Sequence, residues 1–580
     1  MIVSADIPRN KNKAFFVAML TVALLLGAFE CLFGRVAYSA DAINYLNIVR
    51  AIHAGDWKLA LSSYWSLGYP LLLSAITPLF PSTPSGEWAA IHLVNLAIFA
   101  ITFFSFNRLV AVAAHLSSLG KLWSDEQELL LTGTFAVFLS TELCLDNVSR
   151  IGPDMLVSCL LFAAAQLLLQ LCEQPRGRHA ILLGIVLGMG YVTKSIFLPL
   201  TLLFCLVAAL LLWKKGGAMR SLALIAIGAG VFAAPYIAAV SWAQGRLTYG
   251  DAGPLNYAWS VDKVEPLGLW QGWPPGSGKP LHPAKLVLDS PHVYLFDGPF
   301  PATFNPFFNP PYYYQGLRIA FSWQAQVHAI GINLFRLIKL LRWQCLLYVL
   351  AICLALSMAR SKESKPWRRV ASDLLPVLLI AAGGTLIYLL VVVEARYMAS
   401  FVAMFILVLF LAVVAENAVA KRSELRAWNS VLLAWVLAIA CGLTLLANEK
   451  DSVRDVLGNA VHGRLFYNGD QWRAGLGMEQ MGLGPGSKVA VMSDLVGASQ
   501  STWAYMDRLQ IVGILGGSLD AAQTADYDAF WNSTPERQRQ ILWIFRDSGA
   551  RAVVSISEPR GDGAPGWARV AGTEFWVYRF

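Results

Sequence analysis

The residues best suited to chemistry are charged side chains that stand where apolar segments begin or end. Asp41 opens an amphipathic stretch after the first apolar segment, and Tyr45 follows it one helical turn later. A carboxylate held at a membrane surface can act as a general base. Alternatively, Asp41 only caps a helix, because its side-chain oxygen can accept from the free N–H groups of a first turn. The pattern leaves both interpretations open.

Further charges of this kind occur later, at Asp154, at Lys194, and at Glu394 and Arg396 with the adjacent Tyr397. A charge deep in lipid costs about 2.5–3.5 kcal/mol on insertion scales, so such residues are usually paired or functional. Each has a simpler alternative. Asp154 could be a helix cap, and Lys194 could extend its side chain to the headgroups. Glu394 and Arg396 could form a local ion pair. Because its planar fork donates two parallel bonds, Arg396 is the first choice for a phosphate contact.

The composition predicts a polytopic membrane protein. Of the 580 residues, 56% are hydrophobic and 14% are charged, and the mean hydropathy is +0.53. A soluble protein usually has about 25% charged residues. The net charge of +8 does not indicate nucleic-acid binding, since the basic residues cluster beside apolar segments, as membrane orientation requires. The eight cysteines all lie in or beside apolar segments, which favours free thiols over a disulfide framework.

Apolar segments long enough to suggest membrane helices recur along the first 447 residues. They lie at about 14–33, 88–110, 129–146, 155–172, 179–194, 196–213, 219–242, 333–358, 372–393, 397–415 and 428–447. The short apolar stretch 69–80, which is bounded by prolines, is interpreted as a half-buried surface hairpin, with a twelfth crossing as the alternative. We therefore expect about eleven membrane helices.

The orientation follows from the basic connectors at 10–13, 176–179, 214–220, 360–369 and 421–426. With eleven crossings and the N-terminus inside, all five lie on the cytoplasmic side, as the positive-inside rule requires. A twelfth crossing would move the later basic connectors outside. The prediction is an integral membrane protein of the bacterial inner membrane, with the C-terminal domain on the periplasmic or extracellular side.

The first outer loop, residues 34–87, contains a predicted amphipathic helix. Ile43, Leu46, Val49 and Ile52 recur at helical spacing, and Gly55 is a plausible end. Such a helix would lie on the membrane surface with its apolar stripe towards the lipid. It would hold Asp41 and Tyr45 at the boundary between water and lipid.

A second outer loop, residues 243–332, is far longer and contains many prolines and a dense aromatic run at 299–323. Long loops are often lids or binding loops. Aromatic rings suit the headgroup region and also stack on sugar faces. The alternative is a proline-stiffened cover that is packed by its own rings. Its histidines, His282 and His292, are interpreted as surface residues.

After residue 447 the composition becomes that of a soluble domain. Strands are predicted at 488–492, 509–515, 551–555, 568–570 and 575–578, with helical patterns between them, which indicates a small α/β domain over 448–580. The Asp526-Tyr527-Asp528 triplet has the form of a metal-binding DxD motif, but such triplets often arise by chance. We predict no metal there and no other cofactor, although a divalent metal remains an alternative.

The membrane part resembles the C-type (GT-C) glycosyltransferases, and within them the branch of protein O-mannosyltransferases and lipid A aminoarabinose transferases. Asp41 and Tyr45, followed by Gly55 and Trp57, resemble the family's first-loop pattern of an acidic residue, a Tyr and a Gly-Asp-Trp stretch. The run 67–71, LGYPL, stands where the family has a Pro-rich element.

Later motifs follow in the family's order. The run 152–156, GPDML, resembles the second-loop Asp motif, and 188–194 resembles a Gly-rich helix that ends in Thr-Lys. The run 394–397, EARY, resembles the late Arg-Tyr pair. Two features differ from the family, because Ala42 replaces a second acidic residue and the Lys-Pro-Pro element is missing. These differences leave the donor sugar open.

The resemblance implies a GT-C fold and a polyprenyl-phosphate sugar as donor. Asp41 would then take the proton from an acceptor hydroxyl, with inversion at the anomeric carbon. Arg396 and Lys194 would stabilise the leaving phosphate, and Tyr397 would donate a further hydrogen bond. Asp154 would orient the acceptor or a cation, and Tyr45 and Glu394 would complete the site. The acceptor would be a protein, a lipid or a glycan.

Two other functions compete with a hexosyl- or pentosyltransferase. A transporter or flippase for a lipid-linked substrate would also place charges in apolar spans, but no repeat in two halves is evident. A membrane-anchored binding or scaffold protein would leave Lys194 and Arg396 without a purpose.

Overall fold

The protein is described from a computed structural model, which is mostly helical. It describes residues 10–34, 38–116, 127–264, 281–282, 284–296, 308–360, 366–418, 431–447, 469–492, 501–516, 522–555, 558–560 and 566–580. The predicted aromatic run therefore lies partly outside the described residues, from 299 to 307, as does the start of the predicted C-terminal domain.

Helices make up most of the described chain before residue 448. They are α1 (Asn10–Gly34), α2 (Ala40–His53), α3 (Trp57–Ala60), α4 (Gly68–Ile76), α5 (Pro84–His115), α6 (Gln127–Phe138), α7 (Asp154–Glu173), α8 (Gly177–Thr193), α9 (Phe197–Leu212), α10 (Ala218–Gln244), α11 (Ala252–Ser260), α12 (Pro310–Tyr313), α13 (Trp323–Leu341), α14 (Cys345–Arg360), α15 (Pro366–Asp373), α16 (Leu375–Leu389), α17 (Ala395–Ala418) and α18 (Val431–Ala447). Helix α6 continues as a π-helix, Leu139–Asp146.

Six helices of the described chain are long and apolar enough to cross a membrane, and eight spans result if each of two bent pairs counts as one. The bends lie between α13 and α14, at 83°, and between α15 and α16, at 66°. Helices α8, α9 and α18 are apolar but shorter, so the count of eleven stays a prediction. The stretch 69–80 is not a hairpin. It folds as α4 and one 3₁₀ turn, and a helix of 9 residues is too short to cross.

Helix α17 lies at the centre of the membrane part. Along its apolar length 89% of the residues are buried, against 22% in the peripheral α10. It packs on α7, α14, α15, α16 and the π-helix. A helix that is apolar on every side must be covered by protein or by lipid. Here the neighbouring helices cover most of α17. The central position fixes Arg396 and Tyr397, which lie in its first turn.

Glycines bring α8 and α10 into close contact. A Cβ atom on Gly184 would lie 2.2 Å from the carbonyl oxygen of Ile225, and one on Gly188 would lie 2.5 Å from that of Ala229. From the other side, a Cβ on Gly228 would lie 2.4 Å from the carbonyl oxygen of Ile181. Small residues allow helices to approach in this way within lipid. The contact fixes α8, whose C-cap is Lys194.

Helix α2 is buried on most of its surface, which corrects the prediction of a surface helix with one apolar stripe. Asn44, Tyr45 and Asn47 are buried together with the apolar positions. The predicted end is confirmed, since the helix stops at His53 and Gly55 has a φ of +73°. Helices α3 and α4 pack against α2, so it is an internal element rather than a membrane-surface element.

The described C-terminal residues form strands and helices around one sheet. The strands are β3 (Lys488–Met492), β4 (Gln510–Leu515), β5 (Ala552–Ser555), β6 (Trp567–Arg569) and β7 (Trp576–Arg579), and the helices are α19 (Gly469–Gln480), α20 (Thr502–Met506), α21 (Ala522–Trp531) and α22 (Pro535–Asp547). These strands lie within one residue of the predicted ones. Strands β4, β3 and β5 are parallel, and β7 and β6 extend the sheet in antiparallel fashion.

Two strands of the same sheet come from the second outer loop. They are β1 (Lys285–Asp289) and β2 (His292–Leu295), and the full order is β1-β2-β4-β3-β5-β7-β6. Val293 pairs with Leu515 in antiparallel register. His292 is therefore not an isolated surface histidine, because its ring and backbone N–H both contact Asp526 at 2.9 Å. The loop and the C-terminal region form one folded unit.

The α8–α10 contact can be tested with two glycines of the same helix. Gly228→Ala places a methyl group against the backbone of α8, whereas a Cβ on Gly230 meets nothing within 4 Å. We expect Gly228→Ala to cost about 1–3 kcal/mol of unfolding free energy by overpacking. Gly230→Ala should be neutral or slightly stabilising, because alanine favours a helix. The apparent melting temperatures of the purified variants in detergent measure the difference, and equal values would contradict the proposed contact.

A buried carboxyl in the C-terminal region predicts a pH effect. Burial, and then the charge of Glu479, raise the pKa of Asp507 to about 7. Since a carboxyl in the unfolded chain titrates near pH ~4, folding takes up a proton, and the stability cost grows as pH rises from about 4 to about 7. Asp507→Asn should raise the apparent melting temperature at pH 8 and change it least at pH 5. Asp528→Asn, at a surface ion pair with Arg560 whose Asp528 side chain is 45% exposed, serves as the control and should give the same small shift at both pH values.

Candidate active site

A cavity of about 230 Å³ lies where several helices begin. Its wall includes the first-turn or preceding residues of α2, α7, α9, α11 and α17. The last residues of α16 and the C-cap of α8 also reach it. Of the predicted site residues, those that line the cavity are Asp41, Tyr45, Asp154, Lys194, Arg396 and Tyr397.

Asp41 points at Arg396 and does not cap its helix. The cap of α2 is Ser39, whose hydroxyl accepts from the N–H of Ala42 at 3.2 Å. With that position filled, the Asp41 carboxylate is free to accept from Nη2 of Arg396 at 3.0 Å. The carboxylate is 27% exposed and opens to the cavity. The simple capping interpretation of Asp41 is therefore wrong.

Arg396 lies among three carboxylates. Besides Asp41, its Nε donates to Glu394 at 2.8 Å, and its Nη1 lies 3.6 Å from Oδ2 of Asp154. Nη2 also donates to the hydroxyl of Tyr397 at 3.1 Å. The local pair with Glu394 exists, but it is one contact of several. Glu394 itself does not line the cavity, and it holds the guanidinium from the side.

Lys194 contacts Asp154 instead of reaching towards headgroups. Its Nζ donates to Oδ1 of Asp154, and the same Nζ lies 4.0 Å from the ring centroid of Tyr397. As the C-cap of α8, the ammonium group is also favoured by the negative end of that helix. Asp154 begins α7 without making a side-chain cap, and only 4% of its side chain is exposed. Both simpler interpretations from the sequence are therefore wrong.

The ends of the helices supply positive potential to the cavity. Five helices present their first turns, whose free N–H groups and dipoles favour an anion. Two helices, α8 and α16, present their C-terminal ends, whose dipoles are negative. The positive charge of Lys194 offsets the dipole of α8. The side chains alone give three carboxylates, of Asp41, Asp154 and Glu394, against two cations. An anionic ligand would therefore be held by helix ends and by redistribution of the existing ion pairs.

Aromatic side chains, several of them with hydroxyl groups, line another part of the cavity. Tyr397 stacks on Tyr388 with ring centroids 5.0 Å apart. Tyr45 meets Trp65 edge-on at 5.3 Å, and Tyr64 meets Trp65 at 4.6 Å. Burial, and next the charge of Asp41, raise the pKa of both Tyr45 and Tyr64, so these hydroxyls keep their protons and can donate. The ring faces and hydroxyls suit a sugar.

A strap from the second outer loop closes one side of the cavity. We use this term for residues 249–256, most of which line it. Asp251 links the strap to the first loop, since its backbone N–H donates to the carbonyl oxygen of Ser63 at 2.7 Å and its carboxylate accepts from the Ser63 hydroxyl. Asn256 donates to Tyr64 at 3.4 Å. The long loop thus includes ordered elements that reach the site.

Sequence reasoning missed Tyr64, Trp65 and Tyr388, and it named the long loop as a lid or binding loop without singling out the strap. Tyr64 and Trp65 lie in an SSYWS turn between α3 and α4, and an aromatic pair among serines was the one available signal. Within the part of the chain that the structure describes, no group of three or more His, Cys, Asp and Glu residues is arranged to hold a metal ion. The prediction that no cofactor is needed stays a prediction.

The buried ion pair can be tested by removing its cation. Lys194→Met removes the cation closest to the Asp154 carboxylate and leaves Arg396 at 3.6 Å. We expect the free energy of unfolding to fall by about 3 kcal/mol. This is the lower end for a broken buried pair, because Arg396 stays nearby. Adding Asp154→Asn should recover part of the loss, since it removes the buried charge. Unfolding of the purified protein measures both effects.

The matched control for that experiment is a surface pair. Arg539 contacts Glu536 at 3.2 Å, with 58% and 69% of the two side chains exposed. Arg539→Gln should cost no more than about 1 kcal/mol. If Lys194→Met were as stable as Arg539→Gln, the proposed pairing in the cavity would be wrong.

Comparison with known proteins gives one clear result. No protein-family model matches the chain, and no curated protein matches its sequence. The crystal structure of ArnT from Cupriavidus metallidurans in the apo state aligns with a TM-score of 0.50 and 12% identity over 98% of both chains. The same enzyme bound to undecaprenyl phosphate aligns with the same score and identity over 97% of both chains. The chain therefore has the fold of ArnT, the aminoarabinose transferase, which is a GT-C glycosyltransferase.

Proposed function

We propose that this protein is an inverting glycosyltransferase, which moves a sugar from a polyprenyl-phosphate donor to an acceptor hydroxyl at the outer face of the membrane. The observation that carries the proposal is the meeting of Asp41, Arg396 and Lys194 at a cavity walled by helix N-termini. A base and an anion site in one cavity are the two elements that this reaction needs. The fold shared with ArnT supports the same function.

The reaction forms one bond and breaks one bond at the anomeric carbon. The acceptor oxygen attacks that carbon and loses its proton to Asp41. The bond from the carbon to the phosphate oxygen breaks, and the polyprenyl phosphate leaves with the electron pair. Because it leaves as an anion, cations replace a general acid. Attack from the side opposite the phosphate inverts the anomeric configuration.

Donor binding would also free the base. Oδ2 of Asp41 is occupied by the guanidinium of Arg396 in this structure. A donor phosphate is a strong partner for a guanidinium fork and would compete with Asp41 for Nη2. The Asp41 oxygen then becomes available to an acceptor hydroxyl. This exchange predicts that the donor binds before proton transfer can occur.

The other site residues have supporting roles. Lys194 would share the charge of the phosphate, while Asp154, in the wall of the cavity, would orient both cations. Glu394 holds Nε of Arg396, which keeps the fork turned towards the cavity. Tyr397 and Tyr45 supply hydroxyl groups to the phosphate and to the sugar or acceptor.

An apolar wall on the same cavity suits the lipid carrier. Ile196, Leu198, Ile387, Val391 and Val392 line it beside the charged residues. A ligand with a phosphate at one end and a hydrocarbon chain at the other matches this division. The ArnT complex with undecaprenyl phosphate supports a carrier of this class. The proposal covers both a hexose and a pentose as the transferred sugar.

The proposed orientation places the cavity on the outer side. Eleven crossings with the N-terminus inside put residues 243–332 and the C-terminal α/β domain on that side. The sheet shared by the loop and the C-terminal region supports this arrangement, because both must then lie on the same side of the membrane. The proposed location is the bacterial inner membrane, with the C-terminal domain in the periplasm or outside the cell.

The proposal can be tested by binding and by transfer in the same variants. Arg396→Gln should weaken binding of undecaprenyl phosphate to the full-length protein in nanodiscs by at least about tenfold. Asp41→Asn should bind it as tightly as wild type or more tightly, because it no longer competes for Arg396. With a panel of polyprenyl-phosphate sugars, Asp41→Asn should lower the transfer rate by about 10²–10⁴-fold.

The control is Arg539→Gln, which removes an exposed arginine of the C-terminal region and should change neither quantity. Wild-type transfer by Asp41→Asn would exclude Asp41 as the base. A protein that binds undecaprenyl phosphate and moves it across the bilayer, but transfers no sugar, would be a flippase. Absence of saturable binding would overturn the proposed donor class.

A further inference from the structure

The C-terminal region inserts one tyrosine into the membrane part. Tyr505 lies on α20, and none of its surface is exposed. Its neighbours belong to the apolar core of the membrane part rather than to the cores that flank the sheet. Met506 and Trp472 pack against the same core. A tyrosine buried completely in another folding unit needs partners for its hydroxyl group.

The partners of Tyr505 are charged residues on two different helices. Its hydroxyl donates to Oε1 of Glu87 in the first turn of α5 at 2.6 Å. The guanidinium of Arg50 on α2 lies 3.7 Å from the ring centroid, and Nη1 of Arg50 donates to the carbonyl oxygen of Tyr505 at 3.3 Å. Tyr38, just before α2, meets the ring edge-on at 5.9 Å.

Arg50 and Glu87 alone make a loose pair. Their nearest nitrogen and oxygen atoms are 3.7 Å apart. The tyrosine ring lies against the guanidinium, and its hydroxyl satisfies the carboxylate, so Tyr505 fixes both at once. Burial raises the pKa of this hydroxyl, which therefore stays a donor. We call this arrangement of Arg50, Glu87 and Tyr505 the latch.

The latch acts on the helix that carries Asp41. Arg50 lies nine residues after Asp41 on α2, which is about 13 Å along a helix axis. A helix transmits rotation and translation along its length, so a contact fixed at Arg50 also fixes the direction of Asp41. The anchor on the other side, Glu87, belongs to a helix of 32 residues. The cations of the cavity lie elsewhere, at the ends of α8 and α17.

We propose that Tyr505 is a positioning residue of the transferase, through which the C-terminal region sets α2 and places Asp41 against the acceptor. This inference rests on the proposed function. It makes the C-terminal region a part of the catalytic machinery rather than an appended module. It also predicts that losing the latch misplaces the base without weakening donor binding, because a displaced Asp41 competes less for Arg396.

The experiment compares Tyr505→Ala and Tyr505→Phe in the full-length protein in nanodiscs. Tyr505→Phe keeps the ring against Arg50 and loses the bond to Glu87. The matched control is Tyr527→Phe, a tyrosine of the same region whose hydroxyl contacts Ser555 and the carbonyl oxygen of Glu558. Three quantities are measured: hydrogen exchange of residues 40–53, the Kd for undecaprenyl phosphate, and the transfer rate with polyprenyl-phosphate sugars.

For Tyr505→Ala we expect exchange in residues 40–53 to become at least about tenfold faster. The transfer rate should fall by about 100-fold, as for other small misplacements of a catalytic group, while the Kd should not rise by more than about twofold. Tyr505→Phe should show the same pattern with a smaller effect, a fall of roughly 5- to 10-fold in the transfer rate. Tyr527→Phe should match wild type in all three quantities.

Unchanged exchange in residues 40–53 of Tyr505→Ala would overturn the latch. A higher Kd with an unchanged maximal rate would overturn the positioning role, because Tyr505 would then act on donor binding. The exchange measurement needs no substrate. If wild type transfers no sugar, the proposed function fails, and faster exchange in Tyr505→Ala would still establish the contact with α2.

Discussion

The site depends on one guanidinium group held by three carboxylates. Arg396 contacts Asp41, Asp154 and Glu394 from three of its nitrogens, and only 12% of its side chain is exposed. Breaking buried charge pairs is costly, so each partner must come from a rigid element. The chain meets this requirement by starting α2, α7 and α17 at the same point. The central, almost fully buried α17 holds the arginine, and the other helices are arranged around it.

This arrangement also bears on the proposed binding of a phosphate, because the cavity is lined by two carboxylates, of Asp41 and Asp154, as well as by two cations, Lys194 and Arg396. Arg396 and Lys194 pair with these carboxylates in the structure as it stands, but Oδ2 of Asp154, which lies 3.6 Å from Arg396, makes no hydrogen bond among the described residues. A phosphate would take over donors that Asp41 now uses, and the helix N-termini would stabilise the added charge. Binding and activation of the base would then be one event. The glycine contacts between α8 and α10 matter here, because they fix the end of α8 where Lys194 lies.

The sequence indicated the charged residues because a charge at the end of an apolar span is rare and can be noticed without a structure. It could not indicate their pairing, since Asp41 and Arg396 are separated by most of the membrane part. The surface position of α2 was predicted wrongly for a physical reason. Asn44 and Asn47 look solvent-exposed in a helical pattern, yet both are buried. Tyr64 and Trp65 lie in a turn, where no periodicity marks a functional face.

The hairpin of β1 and β2 has a consequence for how the chain is made. Val293 finds its partner at Leu515, so the hairpin leaves the ribosome long before the strand that it pairs with. Until then its edge lacks that partner, and such non-local pairing is slow. The strap that closes the cavity belongs to the same loop. A nascent or truncated chain that ends before β4 would therefore have its membrane helices and charged residues in place while the loop still lacked its anchor. Strand β4 must therefore be made before the loop and its strap can reach the arrangement described above.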